Sequence, residues 1–184
     1  MRTAHSDGIA DHHLPPALVL ISRVLGVLST LALWIAAVGL VLMTAFVAWQ
    51  VWGRYVLNAS PAWTEPAAIV LMGWFIFLGA AVGVRENYHL GFEVLLAIAS
   101  PRAAFAMRCV SDVVTGGFGA AMAWYGMTLT IGTWTATLPT LGLPGGVDYM
   151  PIVGGGVLIF LFSLERLVRR FVIGPGREDV SWNS

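Results

Sequence analysis

The chain has 184 residues, of which 58% are hydrophobic and only 11% charged, with a mean hydropathy of +0.79. Soluble domains carry about 25% charged residues, so this composition belongs in a bilayer. The ten basic residues, all arginine, are balanced by ten carboxylates, which excludes the basic excess of a nucleic-acid-binding surface.

Lipid offers the backbone no hydrogen-bond partner, so a spanning chain must be helical or a closed barrel. Uninterrupted apolar runs, rather than alternating ones, select helices. The expected fold class is an all-α integral membrane protein with four transmembrane helices and one short interfacial amphipathic helix. The single cysteine, Cys109, has no internal disulfide partner and reads as a small buried hydrophobe.

Residues 1–16 are polar, carry His5, His12 and His13, and end in Pro15 and Pro16, as expected of a mobile tail. The first apolar run is about thirty residues long, against roughly 7 to 15 for the core of a secretory signal, so the expectation is a retained helix. No charge lies between Arg23 and Arg54, and span one is placed at about 24–53. Trp49, Trp52 and Tyr55 mark its interfacial end.

The polar turn that follows offers two helix starts, one at Asn58, Ser60 and Pro61 and another at Thr64, Glu65 and Pro66. Either puts Glu65 near the positive end of helix two. Span two, about 66–84, holds Gly79 and Gly83 at a spacing that suits close helix packing, within the chain in preference to a partner. Segment 86–99 has polar residues at about half its positions and reads as a helix lying in the interface plane.

Ser100 and Pro101 suit the cap and first position of the next helix. Its span is placed at about 110–135, with Arg108 and Asp112 sharing a face at its start. A proline- and glycine-broken loop, Thr137 to Gly146, leads to span four at about 150–168. Gly154, Gly155 and Gly156 there suit a close helix crossing or a loosened turn. Residues 173–184 form a polar tail. With four spans, nine arginines fall on one side and only Arg54 on the other, so both termini are expected in the cytoplasm.

Chemistry is scarce. Two haem ligands cannot be assembled, because only His89 lies near a span, and no metal site, cofactor or catalytic constellation is expected. The spans hold little polarity at membrane depth beyond Thr44, Gln50 and scattered hydroxyls, so a solute path through this chain alone is hard to build. The residues by themselves indicate a scaffold or accessory subunit that works through its surfaces.

The central stretch resembles the small membrane subunit (DctQ-like) of tripartite ATP-independent periplasmic (TRAP) transporters. The resemblance is carried by Arg54, Tyr55, Asn58, Ser60, Trp63 and Glu65, by the LGAA run Leu78 to Ala81 followed by Arg85, by His89, Leu90 and Glu93, and by Leu164 to Leu167. Pro66 replaces the second of two adjacent acids common in the family, and Leu90 and Gly91 make the interfacial segment less polar than usual.

The resemblance implies an inner-membrane protein whose partners are a large multi-span permease subunit, a periplasmic substrate-binding protein and membrane lipids. The small subunit would enlarge a stationary scaffold for sodium-coupled import of an organic acid. Arg54 to Glu65 would form a structural turn, with Arg54 paired to Glu65, or a docking surface; Arg85, His89 and Glu93 would contact the interface or the partner subunit. The alternative is an accessory subunit of another inner-membrane complex with no part in solute uptake.

Overall fold

The structure, a computed structural model, describes residues 16–59, 61–86 and 100–173. Four α-helices account for most of them: α1 (Pro16–Tyr55), α2 (Thr64–Arg85), α3 (Pro101–Gly132) and α4 (Met150–Ile173), with a short 3-10 turn, Gly145–Tyr149, running directly into α4. The interfacial helix expected over 86–99 falls almost wholly outside the described residues, as do both polar tails.

Three stretches, Leu18–Tyr55, Thr64–Arg85 and Gly145–Val172, are long and apolar enough to cross a membrane. At 32 residues and about 48 Å, α3 has the length but is not among them. Its glycines, at 116, 117, 119, 126 and 132, and Thr115, Thr128 and Thr130 dilute its apolar content. By length and composition, then, three of the four expected crossings are present.

Local chemistry explains the helix starts. Helix α2 uses the later of the two candidate starts. Trp63, at the N-cap, contributes no side-chain bond; instead the Thr64 hydroxyl donates to the Pro61 carbonyl at 2.8 Å. Pro66 sits in the first turn, where a missing N–H leaves no bond unmade. At α3, Ser100 takes the extended N-cap conformation and its hydroxyl accepts from the Ala103 amide at 3.4 Å.

The helices form two antiparallel hairpins, α1 with α2 and α3 with α4, joined through α2 and α4, which run parallel in the middle. Buried positions on α1 recur every three or four residues at Leu25, Ser29, Ala32, Ala36 and Gly39, a narrow seam that lies against α2. Its small side chains let the two backbones approach. Phe46 meets the Trp63 ring edge-on at 5.4 Å, so about two turns of α1 extend past the beginning of α2.

Glycine sets the other two contacts. A Cβ on Gly156 would lie 2.7 Å from the Ala123 amide, and one on Gly119 2.8 Å from that of Phe160, so α3 and α4 touch backbone to backbone. Gly154 and Gly155 receive Trp74 and Phe77 from α2. The Gly154–Gly156 run is therefore a helix crossing on both sides, and α4 continues through it without a break.

Gly79 and Gly83 differ from the expectation. Among the described residues nothing lies within 4 Å of a Cβ at either position, so no described helix packs against them. The reason is rotational: Phe75, Leu78 and Val82 take the α1 contact while Trp74, Phe77 and Ala81 take the α4 contact, which turns the glycines outward.

Candidate functional site

Polar side chains concentrate at the two ends of the bundle. At one end the beginnings of α1 and α3 meet the ends of α2 and α4. Asp112 on α3, with its side chain only 2% exposed, is held by two arginines of α4: Arg166 Nη2 lies 2.7 Å from Oδ1, and Arg170 Nε donates to Oδ2 at 2.7 Å. Arg166 also donates through Nη1 to the Val84 carbonyl of α2. Arg169 donates to the Ser22 hydroxyl of α1 at 2.8 Å and lies 3.7 Å from Glu165. Arg85 reaches the Ser22 carbonyl at 3.4 Å and stacks its guanidinium 5.6 Å from the Phe162 ring centroid. One polar layer thus ties all four helices together.

Asp112, which shares a face of α3 with Arg108, is buried toward α4 and holds Arg166 and Arg170 there. A carboxylate that enters an apolar bundle needs cations at its own depth, and α4 presents two of them four residues apart on one face. That spacing in LERLVRRF was visible in the sequence; its register against Asp112 was not. Cys109 is half-buried, less enclosed than expected.

At the opposite end the motif turn is held by backbone. The Ala59 amide donates to the Gly53 carbonyl at 3.1 Å, and a Cβ on Gly53 would lie 2.9 Å from the Ala59 carbonyl oxygen, so this close approach requires glycine. Asn58 reverses the chain at φ 49°, a left-handed conformation that asparagine tolerates better than most residues. Arg54 and Tyr55 end α1, Trp63 precedes α2 and Glu65 lies in its first turn; all four side chains are exposed.

No ion pair joins Arg54 to Glu65, in contrast to the expected pairing across the turn: backbone bonds already close it. Ser60, His89 and Glu93 lie outside the described residues. Beside this turn the 133–149 connection forms a compact loop, with the Leu138 amide on the Leu143 carbonyl at 2.8 Å, the Gly142 amide on the Leu138 carbonyl at 2.9 Å and Gly142 at φ 65°.

Between the ends the chain is apolar. The hydroxyls of Thr30, Thr44, Thr128 and Thr130 each donate to the carbonyl four residues back in their own helix, so they offer little to a passing solute. A groove of about 340 Å³ between α3 and α4 is lined by Ala120, Ala123, Trp124, Met127, Val153, Val157 and Phe160, with no ionisable group.

Comparison with known proteins agrees with this geometry. Residues 43–172 match the profile of a family described as "Tripartite ATP-independent periplasmic transporters, DctQ component". A candidate TRAP transporter small permease protein of Haemophilus influenzae is 27% identical over 138 residues, which cover 70% of this chain and 80% of the relative. The C4-dicarboxylate TRAP transporter small permease protein DctQ of Pseudomonas aeruginosa is 27% identical over 122 residues, covering 64% of this chain and 58% of the relative. Its Rhodobacter capsulatus namesake is 29% identical over 110 residues, covering 54% and 45% respectively. The chain thus spans four-fifths of the first relative and about half of the other two.

Proposed function

Given that the chain belongs to the DctQ-component family of tripartite ATP-independent periplasmic transporters, we propose that it is a stationary scaffold for a large multi-span permease subunit. The large subunit carries out sodium-coupled import of an organic acid delivered by a periplasmic binding protein. The observation that supports this reading most is the family match over residues 43–172, which takes in the motif turn, all of α2 and α3, and α4 up to its last residue.

The distribution of polarity fits the division of labour. The four helices of this chain carry no ionisable residue in their apolar middles, and their threonine hydroxyls are satisfied locally, so the solute and ion path belongs to the partner. A substrate with carboxylate groups is in keeping with relatives named for C4-dicarboxylates.

In the proposed topology all four helices cross the inner membrane and both termini are cytoplasmic. Helix α3, less apolar than the others, is carried across by its contact with α4. The arginine layer then lies at the cytoplasmic leaflet and the 54–65 turn faces the periplasm, as the arginine bias requires. Arg54 and Glu65, exposed and unpaired with each other, are available to a soluble partner on a turn that backbone bonds keep rigid.

Purification of the tagged chain from native membranes tests the reading. It should bring down a large, many-span permease in near-equal amount; recovery of an unrelated complex would replace this function with an accessory role elsewhere. Within a recovered complex, Arg54→Ala and Glu65→Ala should leave subunit yield unchanged and weaken capture of the periplasmic binding protein. Loss of yield with unaltered capture would return these two residues to a structural role.

A further inference from the structure

Among the described residues, the polar layer at the arginine-rich end holds more cations than carboxylates. Four guanidinium groups, of Arg85, Arg166, Arg169 and Arg170, share two carboxylates, those of Asp112 and Glu165. Asp112 is occupied by Arg166 and Arg170 at 2.7 Å each, and Glu165 approaches Arg169 only to 3.7 Å.

Arg85 meets no carboxylate among the described residues; its contacts are a carbonyl at 3.4 Å and an aromatic face. Arg85 and Arg169 nevertheless converge on the same residue, one at the Ser22 carbonyl and the other at the Ser22 hydroxyl. Two cations that close repel unless an anion lies between them, and the Arg169 side chain, 39% exposed, is open to one from outside. The Nε atoms of Arg166 and Arg169 are also shielded from solvent without a hydrogen-bond acceptor. Unsatisfied donors on charged groups are among the more costly defects a structure can carry.

Position indicates what the missing anion is. Arg85 ends the apolar stretch Thr64–Arg85, and Arg169 lies one turn before the end of Gly145–Val172, so both sit where two membrane-crossing helices leave the hydrocarbon. Phosphate groups are the abundant anions at that depth, and the planar guanidinium fork matches them in geometry. Gly26 faces Arg85 without a side chain of its own: a Cβ there would stand 3.3 Å from Nη2.

We propose that Arg85 and Arg169, flanking Ser22 and backed by Arg166, bind the phosphate group of a phospholipid in the adjacent leaflet. The phosphate accepts from the guanidinium groups of Arg85 and Arg169 and bridges the α1–α2 hairpin to α4. This inference rests on the membrane-spanning reading above, and not on which permease the chain accompanies.

Native mass spectrometry of the full-length chain, delipidated in mild detergent, tests it. The chain is titrated in parallel with phosphatidylglycerol and with diacylglycerol of the same acyl chains. Phosphatidylglycerol should be retained about tenfold more strongly than diacylglycerol, and the R85Q/R169Q double variant should lose that preference. The R54Q variant, changed at the opposite end, should keep it.

Equal retention of the two lipids by the unmodified chain overturns the proposal, whether or not the double variant folds. So does an unchanged preference in a folded R85Q/R169Q chain. Inorganic phosphate serves as a separate arm: thermal stabilisation equal to that from phosphatidylglycerol would assign the site to a free anion and overturn the lipid source. Failure to recover a permease would refute the proposed function while leaving lipid retention as it stands.

Discussion

The two ends of this molecule solve one problem, fixing helices to one another, with different chemistry. At the arginine-rich end, side chains do it: Asp112 of α3 holds two cations of α4, and neighbouring arginines of α4 and α2 reach the Val84 carbonyl and Ser22. At the opposite end backbone does most of it, through the Gly53–Ala59 closure and the compact 133–149 loop, with the Thr64 hydroxyl donating to the Pro61 carbonyl. Charge can be concentrated where it is buried and paired. For the proposed docking of a soluble partner, a turn whose shape does not depend on its own exposed charges leaves Arg54 and Glu65 available.

The sharpest way to break this contrast is Asp112→Ala. Removing one partner of a buried ion cluster leaves uncompensated charge inside the bundle and costs about 3–5 kcal/mol. Unfolding of the purified chain in graded SDS should show a loss of that order. A loss below about 1 kcal/mol would mean that Arg166 and Arg170 reach water without difficulty. Because the cluster acts as a unit, Asp112→Asn combined with Arg166→Gln should destabilise less than the two changes summed.

Next in size is Gly156→Val, which places side-chain atoms where α3 backbone already sits at 2.7 Å. Overpacking of this kind costs about 1–3 kcal/mol. Since the Gly156 Cβ would meet α3 backbone at Ala123 and Gly119, the same unfolding assay should register it clearly; a neutral result would contradict the backbone-to-backbone crossing.

At the backbone-held end, Asn58→Val forces a β-branched residue into the left-handed region, at about 1–2 kcal/mol, while Asn58→Gly should be close to neutral. If valine and glycine behaved alike, the turn would not depend on that conformation. The smallest effect belongs to Gly79→Ala and Gly83→Ala. With open space at both positions, alanine should leave the isolated subunit as stable as before, or raise it by up to about 1 kcal/mol through helix propensity. A marked loss in the isolated chain would show that the pair is packed after all.

Much of the fold was legible from residue order. Apolar runs bounded by arginine and proline located helices, Ser100 and Pro101 announced the start of α3, and of the crossing or loosened turn that the glycine run in α4 allowed, the structure has the crossing. The motif turn was legible as well, because Asn58 and the Pro61-to-Pro66 stretch carry backbone requirements that are local. The Arg54–Glu65 pairing was misjudged because closeness in sequence permits a pair without requiring one, and the register that brings Asp112 to Arg166 and Arg170 is set between helices.

Sequence alone therefore determined the membrane as solvent and the helices, since these follow from summed hydropathy and from local capping chemistry. Tertiary structure alone decided which face of each helix packs. In water an amphipathic stripe would reveal that face, but here core and surroundings are equally apolar and the period fades. What remains is shape. The seam of α1 runs through Leu25, Ser29, Ala32, Ala36 and Gly39 because small residues let a neighbour close in, and Gly79 and Gly83, small as well, are left outside because α1 and α4 already occupy the other two faces of α2.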